Sequence, residues 1–120
     1  MKKILIVDDE PNIVMSLEYT FKKSNYEVFI ARDGQEALEI LKTNYPDVII
    51  LDVMMPMVDG YATLEQIRKD TNLSHTKVMF LSAKNKESDI AKGMALGADA
   101  YLTKPFSIKK VVEQVEELLS

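Results

Sequence analysis

The sequence predicts an α/β protein, a doubly wound parallel sheet of five strands with helices on both faces. Three observations carry this. Short apolar runs alternate five times with stretches whose apolar residues recur at helical spacing, the pattern of successive βα units. The run Val48 to Leu51 is uninterruptedly apolar, as strands covered on both faces are. Four of the runs end on polar groups: Asp8-Asp9, Asp52, Ser82 and the pair Lys104-Pro105.

Each element has its own signal. Ile4 to Val7 is the first strand, and Pro11 then sits where a first helical turn tolerates it, ahead of Ile13, Val14, Leu17 and Phe21 at helical spacing. Glu27 to Ala31 reads as the second strand. Gly34 opens a helix with Ala37, Leu38 and Leu41 on one side, which Tyr45-Pro46-Asp47 stops before the third strand, Val48 to Leu51. Pro56 and Asp59-Gly60 mark a loop, and Tyr61, Leu64 and Ile67 form the stripe of a third helix. The polar segment Asp70 to Thr76 is expected to be loop, followed by the fourth strand, Val78 to Leu81. A fourth helix over Ser88 to Leu96 has a thin stripe of Ile90, Ala91, Met94 and Ala95 interrupted by Gly93, so it should be the least firmly packed. Ala100 to Leu102 with Thr103 is the fifth strand. Ile108, Val111, Val112, Val115, Leu118 and Leu119 make the last helix the clearest of all.

Composition bounds the rest. A chain of 120 residues has room for one domain and buries roughly two-thirds of its unfolded surface. It has no cysteine, which fits a reducing compartment and excludes disulfides and thiolate metal sites. The apolar run after Met1-Lys2-Lys3 is too short for a signal peptide or a membrane span, so a cytoplasmic location is expected. The net charge of −4 argues against direct nucleic-acid binding by this segment.

Parallel strands place their carboxyl ends along one sheet edge, where open α/β folds bind ligands. That edge would hold three carboxylates, a hydroxyl and an ammonium group. Two carboxylates about 4 Å apart repel by about 4 kcal/mol at an effective dielectric near 20, so Lys104 alone is too little positive charge. A hard divalent cation with oxygen ligands, Mg²⁺, fits the set, because it binds one or two carboxylates and keeps waters that a phosphate can replace. A carboxylate beside such an ion, facing a lysine and a hydroxyl, is equipped to accept a phosphoryl group. Asp52 is the expected nucleophile, with the metal and Lys104 offsetting charge on the phosphoryl oxygens.

These residues carry a family resemblance. From "KILIVDDEP" through "DVIILDVMMPMVDGY" and "VMFLSA" to "GADAYLTKPF", the chain resembles the receiver domain of bacterial two-component response regulators, chemotaxis regulators among them. The resemblance implies a strand order of 2-1-3-4-5 and one receiver domain over residues 1–120. It assigns Asp52 as phosphoacceptor and Asp8, Asp9, Asp52 and the backbone carbonyl of Met54 as metal ligands, with Asp9 the better choice for direct ligation. Ser82 and Tyr101 become a switch pair, Tyr101 turning inward as the hydroxyl moves toward the phosphoryl group, and Lys104-Pro105 becomes a cis peptide bond. The implied partners are a sensor histidine kinase or phosphotransfer protein and a downstream protein effector on the face of the fourth helix, fifth strand and fifth helix. A phosphorylation-dependent dimer is compatible with this.

Other readings fare worse. Haloacid-dehalogenase phosphatases need a second Asp two residues after the first, where this chain has Met54. His75 stands alone in a polar segment, and Phe106 reads as a core aromatic. Met54, Met55 and Met57 read as loop and core filling, with no case for a sulfur-ligated metal. The protein is expected to be a phosphoacceptor switch that assists its own phosphorylation and dephosphorylation rather than an enzyme. Winged-helix regulators commonly carry an acidic residue directly before the strand-five Tyr and an Arg in the last helix. Ala100 and the Arg-free run Val111 to Ser120 favour a stand-alone regulator, the alternative being the receiver of a longer DNA-binding transcriptional regulator.

Overall fold

The apolar runs become β1 (Lys3–Val7), β2 (Glu27–Ala31), β3 (Val48–Leu51), β4 (Lys77–Ser82) and β5 (Ala100–Thr103) in a computed structural model that describes residues 1–120. Between and after them lie α1 (Pro11–Lys23), α2 (Gly34–Ile40), α3 (Gly60–Lys69), α4 (Glu87–Ala95) and α5 (Ile108–Leu119). All pairings are parallel and the strand order is β2-β1-β3-β4-β5, as expected.

Alternation of side chains along each strand divides the core in two. Leu5, Val7, Ile49, Leu51, Val78 and Phe80 point to one face, under Ala37 and Leu41 from α2 and its end and Leu64 and Ile67 of α3. Ile4, Ile6, Val48, Ile50, Met79 and Leu81 point to the other, under Leu17 and Phe21 of α1 and Val111 and Val115 of α5. Phe106 packs against this second cluster, in line with its reading as a core aromatic. No helix is long and apolar enough to cross a membrane.

Side-chain caps set where helices begin. Asp33, Asp59 and Ser107 accept from the amides of Glu36, Ala62 and Lys110, satisfying donors that a first turn leaves unpaired. Pro11 opens α1, where its missing N–H costs nothing.

Three expectations need correction. Thr71–Leu73 is a turn of 3₁₀ helix rather than plain loop, capped by Asp70 and anchored by buried Leu73. Ala91, Met94 and Ala95 of α4 face solvent, and Gly93 is its one buried residue. The predicted stripe assumed that apolar side chains face inward, but α4 rests on aromatic rings that leave no room for one. Met54 and Met57 are also exposed, and only Met55 packs on the core.

Candidate phosphoacceptor site

Register brings the acidic groups together. Val7 pairs with Leu51, and the Asp52 amide donates to the Val7 carbonyl at 3.0 Å, so Asp8 and Asp52 leave adjacent strands side by side. Carboxylate oxygens of Asp8, Asp9 and Asp52 lie within 4.8 Å of one another. Asp8 and Asp52 are buried and Asp9 is exposed.

Lys104 directly follows β5 and its bond to Pro105 is cis. Its Nζ lies 3.4 Å from Asp8 Oδ2, 3.4 Å from Asp52 Oδ2 and 3.2 Å from Glu10 Oε1. Glu10 is a partner that pattern reading missed. Its place next to Asp9 was the available signal, but nothing local says that its side chain turns back toward Lys104. Each buried carboxylate also receives a backbone amide: Glu10 N–H donates to Asp8 Oδ1 at 2.9 Å and Met54 N–H to Asp52 Oδ1 at 3.2 Å.

The charges disturb one another. Burial pushes the Asp8 carboxyl above its ordinary value, Asp52 adds to the rise, and the Glu10 amide and Lys104 only partly oppose it. Burial alone would lower the Lys104 ammonium, but Asp52, Asp8 and Glu10 together raise it.

Ser82 ends β4, fully buried, and its Oγ accepts from the Lys84 amide at 3.2 Å. Tyr101 is half-buried with its ring tilted on Phe80, centroids 5.5 Å apart, and its hydroxyl donates to the Lys84 carbonyl at 2.8 Å. Burial first, and then the neighbouring Tyr61 hydroxyl, raise the Tyr101 hydroxyl far above the ordinary phenol. The Ser82–Lys84 segment thus touches both the site edge and the β5 aromatic.

The site is thus a buried carboxylate paired with a lysine at the end of a central parallel strand, beside two further aspartates. The response regulator receiver domain family model matches residues 4–116. The chain belongs to this family. Its members are phosphoacceptor switches of two-component signalling. The receiver is 45% identical over 118 residues to the alkaline phosphatase synthesis transcriptional regulatory protein PhoP of Bacillus subtilis, covering 98% of this chain and 48% of that protein. It spans about half the length of the curated relatives it matches. A Francisella response regulator receiver domain superposes with a TM-score of 0.91 at 38% identity, covering 99% of this receiver and 97% of that chain. The receiver domain of a sensor histidine kinase from Pseudomonas aeruginosa PAO1 superposes with a TM-score of 0.89 at 25% identity, over 98% of this receiver and 97% of that chain. That structure has a magnesium ion coordinated in its active-site cleft.

Proposed function

We propose that this receiver takes a phosphoryl group onto Asp52 from the phosphohistidine of a sensor histidine kinase or phosphotransfer protein, in the cytoplasm and with Mg²⁺ bound. The observation that carries this is the Asp52 carboxylate, buried at the end of β3 with one oxygen held by the Met54 amide and the other facing Lys104. An Asp52 oxygen attacks phosphorus, the P–N bond breaks, and the imidazole leaves with the electron pair. Lys104 offsets negative charge on the phosphoryl oxygens. Ser82 already accepts from the Lys84 amide, so its own proton is free to be donated to a phosphoryl oxygen. The receiver thereby assists its own phosphorylation.

Three carboxylates within 4.8 Å, of which Lys104 pairs with only two, are a hard-oxygen donor set that fits Mg²⁺. Asp8, Asp9 and Asp52 would hold it with the Met54 carbonyl, and exposed, unpaired Asp9 suits direct ligation. Bound there, the ion supplies positive charge and exchangeable waters. Movement of Ser82 toward the phosphoryl group acts on Tyr101 through the shared Lys84 segment and changes the α4–β5–α5 face, which meets a downstream protein or a second phosphorylated copy.

A second reading, the receiver of a longer DNA-binding regulator, is favoured by the Bacillus subtilis relative, a transcriptional regulatory protein twice as long as the match. The full reading frame decides between the two. For the site itself, an acyl phosphate with Mg²⁺ should add one phosphate by intact mass. Retention of that phosphate in Asp52→Asn would overturn the assignment.

A further inference from the structure

With Ile90 only half-buried, α4 is seated without fully burying a large side chain. Three rings lie in a row beneath it, Tyr61, Phe80 and Tyr101, with neighbouring centroids 5.5 Å apart. Two of them reach backbone at or just before the helix: Tyr61 donates to the Asp89 carbonyl at 3.0 Å and Tyr101 to the Lys84 carbonyl at 2.8 Å. Gly93, the one buried residue of α4, lies directly against Phe80 and Tyr101. A Cβ at position 93 would stand 3.0 Å from Phe80 Cδ2, 3.1 Å from Phe80 Cε2 and 3.1 Å from Tyr101 Cδ2.

Carbon pairs prefer about 3.5–4.0 Å, so a ring or the helix would have to give. Phe80 is fully buried between Tyr61 and Tyr101 and has no free direction. Tyr101 is half-buried and can turn out to solvent, releasing the Lys84 carbonyl. Gly93 lies mid-helix and outside the positive-φ residues, so backbone conformation does not demand a glycine, and a helix interior favours alanine. Close approach is the remaining reason for it.

We propose that Gly93 is a positioning residue that lets α4 lie against an inward-turned Tyr101, so that the seat of α4 and the rotamer of Tyr101 change together. Its signalling consequence rests on the switch role given to Tyr101 above. The coupling itself belongs to the unphosphorylated chain. A methyl group at position 93 turns Tyr101 outward before any phosphoryl group arrives.

The test uses the 120-residue chain labelled with fluorotyrosine, with the Tyr101 ¹⁹F resonance assigned through Tyr101→Phe. Gly93→Ala should move that resonance toward the position of exposed Tyr19 and enlarge its solvent isotope shift. Gly93→Ala should also lower the urea midpoint in the parent chain and raise it in a Tyr101→Ala background, where Phe80 gains space and helix propensity remains. An unmoved Tyr101 resonance, or midpoint changes of the same sign in both backgrounds, overturns the proposal. If Gly93→Ala alone does not fold, folding of Gly93→Ala/Tyr101→Ala supports the coupling and failure of both overturns it. None of these readouts needs a phosphoryl group. Their failure is therefore distinct from failure of the parent chain to gain phosphate on Asp52.

Discussion

Lys104 Nζ lies 3.4 Å from Asp52 Oδ2, reaching from the end of β5 past β4 to the end of β3. The same ammonium lies 3.4 Å from Asp8 Oδ2, so one cation serves two buried carboxylates. Lys104→Ala leaves both without it. Fully buried pairs broken this way cost 3–5 kcal/mol, and the open edge here reduces that to about 2 kcal/mol. Urea unfolding of the metal-free protein measures the loss. Phosphate uptake from an acyl phosphate should fall by about 10²–10³, and Lys104→Arg should not restore it, since a planar fork does not replace a point charge.

Asp8 makes metal-free stability depend on pH. Its folded pKa is raised above the ordinary 3.8, mainly by burial, so the folded chain holds the proton more tightly than the unfolded one. Its contribution to stability therefore falls as pH rises from 3.8 through the folded value. With chelator present, Asp8→Asn should gain on the parent chain across that window, as read by paired urea titrations. A flat difference would contradict a raised folded pKa for Asp8. Mg²⁺ at a hundred times its Kd should return about 2.7 kcal/mol to the parent chain at neutral pH and much less to Asp9→Ala.

Met57 carries strain next to the site. Its φ is 69°, a left-handed conformation that costs non-glycine residues roughly 1–2 kcal/mol, and its side chain is 79% exposed with little packing to lose. Met57→Gly should stabilise the fold by about 0.5 kcal/mol once the greater freedom of glycine in the unfolded chain is subtracted. Met57→Val should destabilise it, because a β-branched residue tolerates that φ least. Thermal melts of the two variants should move in opposite directions.

The lifetime of the phosphorylated state is expected to depend on Met54 and Lys84, which line one groove beside Asp9 and Tyr61. A thioether does not hold an attacking water, and a lysine there shields the phosphoryl group, so slow self-dephosphorylation is expected. Met54→Asn with Lys84→Glu should speed loss of phosphate about tenfold, followed by intact mass after removal of the donor. An unchanged rate, with normal uptake on Asp52, would show that these side chains do not limit water access.

Sequence by itself determined the alternation of strands and helices, because apolar periodicity reports which face of each element is covered. It also pointed to the side chains that meet at the sheet edge. Asp8, Asp52, Ser82 and Lys104 sit at strand ends, and any parallel sheet collects strand ends on one edge, so their meeting follows from topology. Other features needed the tertiary structure. Glu10 joins Lys104 across 94 residues, a meeting that depends on where a flexible side chain turns and leaves no local signal. The inward face of α4 was misjudged for a related reason. Periodicity counts apolar side chains, whereas this helix is seated by the absence of one at Gly93, and only the positions of Phe80 and Tyr101 reveal that the space is already filled. Patterns along a chain record what each residue buries; how closely two elements approach is decided by the atoms between them.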